Sequence, residues 1–235
     1  MIFLENIYTE TLEEGRITRI EPRTIPFYNF NLNLGGALII PTLVYGPDSD
    51  DDYSFRDSLL LHGLAITQII TSLETYYTDI FSILTDSIKT SQINSKILSD
   101  FIKKTRLSNE FVHAIGENNN LEFPLSAFIP KYFPLQEKDR IKTSFRLIGL
   151  NPNIYMQEWN RTFGGKENST VKRRHAFIHG GVDFTHLSIP IDTVSDIKNR
   201  IKDAIVLVYC IEKQLHDQNK IQKNKKLYPK LLSHQ

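Results

Sequence analysis

Ser58–Leu84, "SLLLHGLAITQIITSLETYYTDIFSIL", decides the architecture. Ile66, Ile69, Leu73, Tyr77, Ile80 and Leu84 recur at spacings of three and four, which gathers them on one stripe of a long amphipathic helix. A strand would alternate by two, and this stretch does not. Glu74 shares a face with Ile70, Tyr77 and Phe81, so an apolar surface carries a carboxylate that needs a cationic partner such as Arg174 or His175.

Toward the C-terminus the same periodicity continues. "TSQINSKILSDFIKK" aligns Ile93, Ile97 and Phe101 behind a Thr90 or Ser91 cap, and "NEFVHAIG" reads as a shorter helix. Pro124, Pro130 and Pro134 predict a loop between Phe123 and Phe133. "LQEKDRIKTSFRLIG" predicts a helix with Ile141, Phe145 and Leu147 or Ile148 inward, and "NPNIYMQEWN" a turn or short helix. Thr193 with Asp196 forms a capping-box pattern. It opens a last helix in which Ile197, Ile201, Ile205, Val208, Ile211 and Leu215 face one way.

Toward the N-terminus the texture changes. "RITRI", "TIPFYNF" and "ALIIPTLVYG" are β-branched and aromatic pieces broken by Pro and Gly, which predicts an extension with short strands over residues 1–52. The acidic run Asp48 to Asp52 makes a polar hinge to a helical domain over 53–217. Residues 218–235 form a basic tail with Lys220, Lys223, Lys225, Lys226 and Lys230, expected to fray or to attract phosphate.

In 235 residues with 23% charged side chains, the formal net charge is only +1, so any affinity for nucleic acid must come from a local patch. The lone Cys210 excludes an internal disulfide and a multi-cysteine zinc site, which fits a reduced cytoplasm. "MIFLENIYTETLEEG" lacks the basic start of a secretory signal, and no apolar run nears the ~20 residues that cross a bilayer. A soluble cytoplasmic protein without membrane contact is expected.

Within this frame "STVKRRHAFIHGG", Ser169–Gly181, crowds two arginines and two histidines among Val171, Phe177 and Ile178. Asn168 or Ser169 suits an N-cap and Gly180–Gly181 a C-cap, so the segment predicts a helix of about three turns. Arg174 shares a stripe with Val171 and Ile178, which sends its stem toward the packed side. His179 falls in the last turn, where unpaired carbonyls favour a protonated imidazole. An Arg with a His a few residues later is cheap by chance: Arg56 with His62 and Arg106 with His113 also satisfy such a spacing. A structural ion pair and a helix-end dipole contact would account for Arg174 and His179 equally well.

"KRRHAFIHGG", preceded by a helix carrying "ITSLETYYTDIFSIL" and followed by "DTVSDIKNRIKDAIVLVYCIEKQL", resembles the HEPN family (higher eukaryotes and prokaryotes nucleotide-binding) over roughly Ser58 to Leu215. The resemblance implies a mainly α, HEPN-like helical bundle. It further implies a catalytic set of Arg174, His175 and His179 with the acid Glu74, while Arg173 fits the spacing as well. Arg173 and Lys172 are the expected RNA contacts.

Residues five apart on a helix are turned by about 140° and separated by about 7.5 Å, so Arg174 and His179 do not converge on one phosphate. Two copies meeting across a two-fold axis would line one cleft with both pairs. The expectation is a homodimeric, metal-independent endoribonuclease without cofactor, acting on single-stranded RNA or a tRNA loop. It is read as a toxin or phage-defence effector with an antitoxin or activating protein as partner. The competing expectation is a non-catalytic HEPN module that binds nucleotide, RNA or a partner protein.

Overall fold

Thr24 shows how the N-terminal segment escapes the strands that its composition suggests. Its Oγ1 accepts from the N–H of Phe27 at 3.2 Å, which caps a helix. Pro26 sits in that helix's opening turn, where a proline's missing N–H removes no internal bond. Phe27, Phe30, Leu34 and Ala37 then fall on one buried stripe. In the computed structural model, which describes residues 2–21, 23–44, 55–86, 88, 95–105, 137–179, 192–220, 224 and 226–227, the expected strands are replaced by α1 (Ile2–Glu13) and α2 (Ile25–Val44). "RITRI" links them without regular structure. No strand occurs among the described residues.

Six further helices follow among the described residues: α3 (Phe55–Thr85), α4 (Ser95–Thr105), α5 (Lys138–Leu147), α6 (Met156–Phe163), α7 (Thr170–His179) and α8 (Val194–Asp217). All six stripe residues predicted for α3 are buried. In α5 Ile141 and Phe145 are buried and Leu147 is half-buried, and Ile148, which caps the helix, is buried. In α4 the inward pair is Leu98 and Phe101, whereas Ile97 is exposed, because the helix turns its more C-terminal positions onto Phe81. Ile93, the helix expected at "NEFVHAIG", the proline-rich loop and the Gly180–Gly181 cap lie outside the described residues.

The last helix lies at the centre. From Arg200 to Glu212 every side chain of α8 is buried, and α8 packs on α1, α2, α3 and α6. Its start is the predicted capping box, with Thr193 Oγ1 accepting from the N–H of Asp196 and the Asp196 carboxylate accepting from the N–H of Thr193. Aromatic rings fill the space beside it, with Tyr77 edge-on to Phe145 at 5.2 Å and Trp159 against Phe163 at 4.7 Å.

A helix buried on all sides must also satisfy its polar members. Glu212 accepts from the N–H and Oγ1 of Thr24 at 3.0 and 2.6 Å and from the Tyr76 hydroxyl at 2.7 Å, which ties α8 to α2 and α3. Asp203 accepts from Arg16 at 2.6 Å and from Arg161 at 2.7 Å, and Lys198 reaches Glu10 at 2.6 Å. The N-terminal helices are thus tied to the bundle by charge, part of it buried, as well as by apolar contact. The described part of the basic tail also packs: Leu227 is fully buried, its carbonyl accepts from Ile25, and Lys220 donates to Ile148 O at 2.6 Å. No helix among the described residues is long and apolar enough to cross a membrane.

Candidate functional site

Ser169 starts α7: its Oγ accepts from the N–H of Lys172 at 3.4 Å and donates to Gly164 O at 2.7 Å, so the cap is itself fixed by the preceding loop. The helix seats on α3 through Phe177, whose ring lies where a Cβ on Gly63 would be, as near as 2.1 Å. Only glycine permits that approach. Four faces of α7 follow from this seat. Thr170 and Arg173 point inward, Val171 and Phe177 pack at the margin, Arg174 is half-buried, and Lys172, His175, Ile178 and His179 are exposed. Ile178, expected on the packed side with Arg174, is 49% exposed, because Phe177 takes the place against α3.

Arg174 meets Glu74. Its Nη1 donates to Glu74 Oε2 at 3.3 Å, and both side chains are 17% exposed. Burial nonetheless pushes the Glu74 carboxyl up to about 7, and the Arg174 charge and hydrogen bond offset that only in part. Glu74 Oε1 and Arg174 Nε are buried without a hydrogen-bond partner among the described residues. The pair is therefore under-satisfied on both sides, a condition that recurs where a substrate completes a polar site.

Beside this pair, the rings of His175, the next residue, and His179 stand 4.4 Å apart at 47°, both exposed. Lys172, His175 and His179 share this outer face at the three- and four-residue spacing of neighbours on a helix. The structure thus gathers Arg174 with Glu74, and His175 with His179, within two turns of α7.

Arg173 lies elsewhere. It is 6% exposed, and its Nε and Nη2 donate to Asp192 Oδ2 at 3.0 and 2.8 Å. Arg173, expected as an RNA contact, stands on the inward face of α7 in a buried ion pair with the acid just before α8. Of the two arginines, Arg174 is the one nearer solvent. His62, the histidine of a competing spacing, is buried in α3, and desolvation lowers its pKa against the pull of Asp192 and Asp196.

Asp192 and Arg200 escape a reading by motif. Arg200 donates to Asp192 Oδ1 at 2.7 Å and to the carbonyl and side-chain oxygens of Asn168 at 3.1 and 3.0 Å. It thereby ties the loop before α7 to α8. The signal is present in the sequence: Arg200 falls between Ile197 and Ile201 on a buried stripe, and a buried cation requires an anion.

A family model described as RiboL-PSP-HEPN matches residues 44–217. No curated protein and no solved structure matches the chain. The match takes in α3 to α8, hence Glu74 and all of α7, and leaves α1 and nearly all of α2 outside it.

Proposed function

The chain belongs to the RiboL-PSP-HEPN family, and from that premise we propose that it is a metal-independent endoribonuclease whose site forms when two copies of α7 face each other. One observation carries this reading: two exposed imidazoles, 4.4 Å apart, stand one next to and one five residues after a half-buried arginine that has a single bonded nitrogen among the described residues.

The groups suit RNA cleavage by its own 2′-hydroxyl. One imidazole accepts the 2′-hydroxyl proton as that oxygen attacks the phosphorus, and the bond from phosphorus to the 5′-oxygen breaks. A second imidazole protonates the departing oxygen, which leaves a 2′,3′-cyclic phosphate. Arg174, steadied by Glu74, donates to the phosphoryl oxygens as charge builds on them. His179 is the acid or base, His175 its neighbour in proton transfer or orientation, and Glu74 a positioning residue. DNA, without the 2′-hydroxyl, is not cut.

The substrate we propose is single-stranded RNA or a tRNA loop, whose splayed backbone fits a shallow cleft better than a duplex does. A role as a toxin or phage-defence effector, held by an antitoxin or activating protein, is supported by the family alone.

Purified chain is expected to cut RNA in the presence of EDTA and to leave cyclic phosphate ends, and His179→Ala is expected to abolish cutting without dissolving the dimer. RNA binding without cleavage at any pH between about 5 and 9, the range in which histidine titrates, would identify a non-catalytic module.

A further inference from the structure

Between α6 and α7 the chain runs "FGGKENS", Phe163–Ser169, around a cavity of about 400 Å³ lined by Asn160, Arg161, Gly164, Gly165, Lys166 and Asn168, with Ser169 at its edge. Nothing in the catalytic proposal uses this cavity. Two cations line it: Arg161 is 51% exposed while bonded to Asp203 and Glu158, and Lys166 is exposed without an ion pair among the described residues.

The wall is also rigid. Gly164 has no room for a side chain, since a Cβ there would lie 2.1 Å from Asn160 O. Asn168 is held through two of its oxygens by Arg200, which is itself pinned by the buried Asp192. By contrast, a Cβ on Gly165 would meet nothing within 4 Å, so the chain leaves space there that packing does not require.

Ser169, which lines the cavity, caps α7, and Lys172, His175 and His179 follow it along one exposed side of that helix. From Ser169 to His179 the axis runs about 15 Å, more than one nucleotide's backbone. A cation at the head of such a track would hold a phosphate other than the one cleaved beside His179. We infer that this cavity is a phosphate subsite that holds the RNA backbone some nucleotides from the scissile bond, with Lys166 as its principal cation. The inference rests on the ribonuclease reading, which supplies the strand.

The test uses full-length His179→Ala protein, which holds RNA without cutting it, and measures binding by fluorescence anisotropy. The probes are single-stranded RNAs of about twelve and about four nucleotides, lengths within the range of known single-strand sites. Lys166→Glu and, separately, Gly165→Asp are added, both at positions with open space around them. Each is expected to weaken the longer RNA about tenfold, to lower its salt slope by about one, and to leave the shorter RNA unchanged. Lys166→Arg is expected to bind as the parent does.

Unchanged affinity for the longer RNA in both variants overturns the subsite and leaves the cleavage site standing. Equal weakening of both RNAs reports a general field and likewise overturns it. Loss of inorganic phosphate or ATP binding with RNA binding intact assigns the cavity to a free anion instead. If the parent protein binds neither RNA, the ribonuclease reading fails first and the subsite with it.

Discussion

Glu74 lies 3.3 Å from Arg174, yet its carboxyl holds its proton up to about pH 7. Desolvation outweighs the ion pair, because the carboxylate is enclosed by α3 and α7 with one oxygen unbonded among the described residues. The folded value lies above the ordinary 4.5, so the folded chain retains a proton that the unfolded chain has released between those two values. Stability from this group is therefore fullest below about pH 4.5 and is lost as pH rises toward 7. Urea denaturation of wild type and Glu74→Gln at pH 5 and pH 8 is expected to show the variant gaining relative to wild type at the higher pH, by no more than about 3 kcal/mol. A difference that does not vary with pH would refute this account.

Gly63 and Phe177 set the height of α7 on α3. Adding one methyl group in Gly63→Ala drives a carbon into the ring, and overpacking of this kind costs about 1–3 kcal/mol. Trimming the ring in the double variant with Phe177→Leu is expected to recover part of that loss. Additive losses in the double variant would mean that the contact is not shared.

Asp192 holds two buried guanidinium groups, Arg173 and Arg200. Asp192→Asn leaves both without their anion, and removal of one partner from a buried pair costs about 3–5 kcal/mol. The loop around Asn168 should loosen with it, seen as faster amide exchange from Gly164 to Ser169. Lys172→Ala, on the exposed face of the same helix, is expected to stay within about 0.5 kcal/mol of wild type.

What the sequence discloses about this bundle depends on how locally each element is determined. The stripe of α3 and the capping box of α8 are written in adjacent turns, and the structure reproduces both. α2 is different: Pro26, Gly35, Gly36 and Pro41 read as breakers, and its stripe of Phe27, Phe30, Leu34 and Ala37 prevails only because α3 and α8 supply the surface that it buries. At the site, the contact of Arg174 with Glu74 is legible because each is an ionisable group on an apolar face. Arg173 is not, because the acid that claims it stands nineteen positions away, beyond the end of its helix.

The proposed composite site makes a prediction that no monomeric site would. Arg174→Ala and His179→Ala homodimers each lack one kind of group entirely, so neither is expected to cut RNA above about a thousandth of the wild-type rate, the usual scale for loss of a general acid or transition-state donor. A mixed dimer of the two variants keeps one arginine on one protomer and one histidine on the other. If the two α7 helices face a common cleft, those survivors converge on one phosphate, and activity returns on mixing under conditions that exchange subunits. If each chain cleaves alone, or if the histidines face away from the two-fold axis, every chain in the mixture is still defective and mixing restores nothing. Subunit exchange confirmed by tagged co-purification, with RNA fragment ends read on the same samples, separates these outcomes.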